Sequence, residues 1–157
     1  MKSKLWLVVV LSGLFTSIGV AQEVEYAPGG EKWAATWKTF YAGDYEPELP
    51  EPLMKAGPSM VPAILEAIGH PDMKMRRYAI SALGLLKDES AIAPLRAIVE
   101  DEGEEDWFRG DALVAIYQLN QDQGTKLAEK HKGKGDALKQ SSEWILAKEP
   151  FLLEGGL

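Results

Sequence analysis

The sequence predicts an all-α fold built from repeated amphipathic helices, and three observations carry that reading. An internal repeat of about 33 residues superposes Met75 on Phe108, Arg76 on Arg109, Ala79 on Ala112, Ile80 on Leu113, Ala82 on Ala115, Leu83 on Ile116 and Leu86 on Leu119. In both copies the apolar residues recur at i, i+4, i+7, i+8 and i+11, which is one face of a helix. No stretch alternates polar and apolar residues between hairpin signals, so strands are not required anywhere.

Helices are predicted over 31–42, 52–56, 59–68, 73–86, 90–100, 105–119, 121–131 and 136–147. The first carries Trp33, Trp37 and Tyr41 four residues apart with Phe40 beside them, an aromatic stripe suited to covering the end of a helical stack. A second internal match, Met60-Val61-Pro62-Ala63-Ile64 with Ala91-Ile92-Ala93-Pro94-Leu95, opens two shorter helices with proline in the first turn, where a missing N–H costs least. Gly43, Gly57 and Gly69 stand where C-terminal caps belong, and Ser59, Asp72, Asp88 and Asp136 where N-caps do. The proline-rich acidic linker 45–52 is expected to be extended.

Residues 1–21 form a secretory signal peptide: Lys2 and Lys4 precede an apolar run too short to span a bilayer, and Gly19 and Ala21 place the cut after Ala21. The expected address is the periplasm or the medium. The remaining 136 residues divide into an aromatic helix with its linker (22–49), the repeats (50–149) and a tail (150–157). They carry 15 basic and 24 acidic side chains, a net charge of −9, which makes nucleic acid an unsuitable partner. With no cysteine among 157 residues, disulfides, thiolate nucleophiles, iron–sulfur clusters and a lipid tether at the cut are excluded. His70 and His131 lack metal-ligand spacing.

The stretch from His70 to Gly84, followed by Leu86, Asp88 and Ala91 to Leu95, resembles the HEAT-type helical repeat, in particular the short variety associated with phycobilisome lyase subunits. Lys55 to Ile68 resembles the end of one repeat's first helix and the whole of its second. The third copy departs at Gly110 and Asp111, and the fourth retains only Ala137, Leu138 and Ile145, which marks it as a cap. The resemblance implies an α-solenoid of stacked antiparallel helix pairs, three to four repeats long, whose second helices line a concave protein-binding surface. It implies no catalytic residues. The one enzymatic idea it raises, bilin attachment by lyase subunits working in pairs inside the cytoplasm, conflicts with an export signal.

On that basis the expected function is a non-catalytic interaction module with a protein partner. The charges that the buried stripes leave facing water on the second helices, Glu66, Arg96, Glu100, Glu129 and Lys130, are the candidate binding residues. The alternative is a small-ligand or glycan site on Trp33, Trp37 and Tyr41. No nucleophile elbow, phosphate loop, HExxH or dinucleotide fingerprint occurs, so neither cofactor nor metal is expected. The acidic run from Glu100 to Asp106 lacks calcium-loop spacing and reads as a solvated loop before a helix N-terminus. Arg109-Gly110-Asp111 lies inside a helix, unable to present an adhesion turn, and Arg76 and Arg109 are expected to pair with acids of neighbouring turns or repeats.

Overall fold

Proline in the first turn, an apolar stripe and a turn residue after the last turn recur along the chain, and each recurrence produces one helix. The computed structural model describes residues 23–153, so the expected export segment 1–21 and the cut expected after Ala21 lie outside the described residues. Eight helices follow in order: α1 (Glu31–Tyr41), α2 (Glu51–Ala56), α3 (Val61–Ile68), α4 (Arg76–Leu85), α5 (Ile92–Glu100), α6 (Asp106–Leu119), α7 (Gln121–His131) and α8 (Ala137–Ala147). Short 3₁₀ turns at Glu46–Glu48, Pro58–Met60, Glu89–Ala91 and Pro150–Leu153 join or finish them.

The helices form a two-layer α-solenoid. In one layer α2, α4, α6 and α8 stack side by side; α3, α5 and α7 form the other, each packed on the first-layer helix that follows it. Small residues set the spacing of the first layer. A Cβ on Gly84 would stand 2.8 Å from the Cα of Ala115, and one on Gly110 would stand 3.1 Å from the carbonyl oxygen of Ala137. Leu53, Ile64, Ile80, Leu83, Leu95, Leu113, Ile116 and Leu138 are fully buried between the layers, so a continuous core runs through the stack.

Both ends are closed. At one, α1 packs on α2 with Trp37, Phe40 and Tyr41 in the core, and Trp37 Nε1 donates to the Pro28 carbonyl at 2.9 Å. At the other, no second-layer helix follows α8 among the described residues. The 3₁₀ turn after it fills that place: Leu152 is fully buried, Gln118 Nε2 donates to its carbonyl at 2.7 Å, and Phe151 meets Trp144 edge to face.

Several expectations give way to long-range contacts. The helix predicted over 73–86 begins only at Arg76, because Val24 forms a parallel bridge with Met73: Val24 N–H donates to Asp72 O and Lys74 N–H to Val24 O, both at 2.8 Å. Asp72 therefore caps nothing; its carboxylate accepts from the Tyr26 hydroxyl at 3.1 Å, and Met75 turns the chain through φ 59°. Asp88 does cap, accepting from Ser90 N–H at 2.9 Å. Ser59 lies inside a 3₁₀ turn. Asp136 sits at the N-cap of α8 without a capping bond of its own. The linker is not extended either, since Pro47 sets φ for the 3₁₀ turn Glu46–Glu48 and the Glu46 carboxylate holds the Tyr78 hydroxyl at 2.7 Å.

Candidate functional site

In α6 the apolar stripe starts at half-buried Phe108, and Trp107, Gly110 and Asp111 share a neighbouring face three and four residues apart. In α8, Ala137, Ser141 and Trp144 share a face in the same way. The two faces enclose a groove of about 520 Å³ on the first-helix layer, with Arg77 of α4, Pro47 and Phe151 on its rim. Its floor is made of Gly110, Ala137 and Ser141 and lies close to the helix backbones. One wall is Trp107, which is 59% exposed; Trp144 and Phe151, with ring centroids 5.4 Å apart, form another.

Asp111 is the charged residue set into this surface, and it is only 5% exposed. Burial pushes its carboxyl above the usual value, and the guanidinium of Arg77 pulls it back only in part. The pair is close: Arg77 Nε donates to Oδ2 at 2.8 Å and Nη2 to Oδ1 at 3.4 Å. The same guanidinium lies 5.6 Å from the centre of the Trp107 ring. A buried carboxylate is costly to keep without a counter-ion, and Arg77 supplies one here.

The residues singled out from sequence lie elsewhere. Glu66 is exposed on α3. Arg96 donates to Gln123 Oε1 at 2.8 Å, Lys130 Nζ meets Glu100 at 2.6 Å, and Glu129 pairs with Lys132 at 2.8 Å, so these charges tie α5 to α7 or α7 to its own end. Trp37 and Tyr41 are buried, the Tyr41 hydroxyl donating to Tyr26 O at 2.6 Å, and half-buried Trp33 lies under the Lys32 ammonium. The acidic run is also engaged: Glu100 binds Lys130, Glu102 binds Lys134, Glu104 binds Arg76, Asp101 accepts from Gly103 N–H, and Asp106 reaches the start of α8. Arg76 pairs as expected, but Arg109 does not; its Nε donates to the Val99 carbonyl at 3.1 Å, because the end of α5 rather than an acid lies beside it.

Sequence reasoning missed Trp107, Asp111 and Trp144. One signal was present: a tryptophan directly beside the stripe residue Phe108 cannot share its face, since successive helix positions point about 100° apart.

No curated protein and no solved structure matches the chain. A family model described as HEAT repeats matches residues 54–129, which run from α2 through most of α7. The repeated α4–α5 and α6–α7 units, and the buried arginine that each sets against the end of the preceding second-layer helix, agree with that match, and residues 54–129 form a HEAT-repeat segment.

Proposed function

We propose that this chain is an exported, non-catalytic protein-interaction module, working in the periplasm or outside the cell, that docks its partner on the first-helix layer. Trp107 carries the docking reading. A tryptophan left 59% exposed beside an apolar groove is the kind of side chain that interfaces cover, because aromatic anchors next to pockets supply a large share of binding energy. HEAT repeats commonly serve as protein-interaction scaffolds, which supports the same reading. The groove's carboxylate is paired with a guanidinium, Arg77 Nε donating to Asp111 Oδ2 at 2.8 Å. Export is supported by the basic start, the apolar run and the small residues Gly19 and Ala21.

A photo-crosslinking residue placed at Trp107, and separately at Glu66, tests this in the intact envelope of the source cell. Adducts from position 107 and none from position 66 are expected. The reverse pattern would move docking to the second-helix charges Glu66, Arg96, Glu100, Glu129 and Lys130. Recovered protein should begin at Gln22, and a species retaining residues 1–21 would overturn export.

A further inference from the structure

We propose that the first-helix groove takes an extended basic peptide segment carrying an apolar anchor; this rests on the docking reading above and names its partner. Three depressions meet at Arg77. Besides the groove of about 520 Å³, a hollow of about 360 Å³ lined by Met73, Met75 and Phe108 also borders Trp107, and a smaller one of about 80 Å³ lies between Pro47 and Tyr78. Hollows that share Arg77, two of them also sharing Trp107, fit a chain that presents several side chains better than they fit a single compact molecule. The floor of Gly110, Ala137 and Ser141 lets that chain come close to the helices, and Trp107, Trp144 and Phe151 line the groove with rings that suit an apolar side chain.

Charge selects the sign of the partner. Arg77 is matched by Asp111, and Arg76 is spent on Glu104 at 2.7 Å. Exposed Glu23, Glu46 and Glu105 then leave the two smaller hollows beside the groove bordered by acid, on a chain whose net charge is −7. Lysine or arginine next to the anchor gains these carboxylates and the open face of Trp107, whereas an acidic segment would meet like charge.

The test titrates the purified chain into fluorescein-labelled peptides in which lysine alternates with leucine, glutamate with leucine, or lysine with serine, and reads anisotropy. Saturable binding is expected for the lysine–leucine peptide, at least about tenfold weaker for the other two. Trp107→Ala and Glu105→Lys should each weaken it about tenfold while helicity and melting temperature stay at the wild-type values. Equal or tighter binding of the glutamate–leucine peptide, still sensitive to Trp107→Ala, overturns the basic occupant and leaves the docking reading standing. Equal binding of the lysine–serine peptide, or no saturable binding of the lysine–leucine one, also overturns it. Peptide binding indifferent to Trp107→Ala overturns both readings.

Discussion

Arg76 and Arg109 show how one repeated residue does one job twice. Each is buried in a first-layer helix and donates Nε to a carbonyl near the end of the preceding second-layer helix, Ile68 O at 2.7 Å and Val99 O at 3.1 Å. A guanidinium there satisfies an orphan acceptor and faces the negative end of the helix. His131 lies near the second of these arginines, 1% exposed, with neither ring nitrogen hydrogen-bonded and Nε2 3.5 Å from Glu100. Burial lowers its affinity for protons below the ordinary 6.5, Glu100 opposing this and Lys130, Lys134 and Arg109 adding to it. The unfolded chain therefore binds that proton more readily, so the contribution to stability is complete above 6.5 and is lost as the pH falls. Urea denaturation between about pH 7.5 and 5.5 should show stability declining in the wild type and a flatter profile in His131→Met.

Helices here are finished by their neighbours as often as by their own residues. The N-terminus of α8 is capped by Asp106 of α6, whose Oδ2 accepts from Asp136, Ala137 and Leu138 N–H at 2.8, 2.6 and 3.3 Å. Gly135, at φ 66°, leaves the space that this carboxylate occupies. Asp106→Ala should cost about 1–2 kcal/mol in urea denaturation, with the loss of helicity concentrated in α8 as read by hydrogen exchange. Within α4, Leu83 is fully buried on the stripe, and Leu83→Ala should cost about 2–4 kcal/mol by the same measurement. Lys87, four positions on, is not the idle surface residue that its charge suggests. It ends the helix at φ 58° and its Nζ donates to Gln118 O at 3.0 Å, linking α4 to α6.

Across the whole molecule, the acidic loop between α5 and α6 fastens the repeats together. Its carboxylates reach back to Arg76 and forward to Lys130, Lys134 and the start of α8. The Arg76–Glu104 pair is the buried one, its side chains 4% and 14% exposed, with the guanidinium also 4.6 Å from the centre of the Phe108 ring. Burial alone would raise the Glu104 carboxyl, but Arg76 and the Glu105 amide outweigh it and hold the value below 4.5. Its contribution is then present above 4.5 and lost as the pH falls through the lowered value. Glu104→Ala leaves Arg76 buried without its counter-ion and should cost about 3 kcal/mol at neutral pH, read as a drop in the urea midpoint without a change in slope.

The sequence alone determined the helices, their repeat and their family resemblance, because the apolar stripe, the first-turn prolines and the matched alanines are local patterns that any neighbour must accommodate. It offered Trp33, Trp37 and Tyr41, with Phe40 beside them, as either the cover of one end or a ligand site, and the burial of Trp37, Phe40 and Tyr41 is what the structure added. Tertiary structure decided what no spacing records: that Val24 shortens α4 by pairing with Met73, that Asp106 rather than Asp136 caps α8, and that the second-helix charges Arg96, Glu100 and Lys130 hold α5 and α7 together. The groove belongs to this second group. Along the chain Asp111 is only a departure from the repeat and Trp107 only a neighbour of the stripe, and with Trp144 they come together because Gly110 and Ala137 let α6 and α8 approach closely enough to join their off-stripe faces.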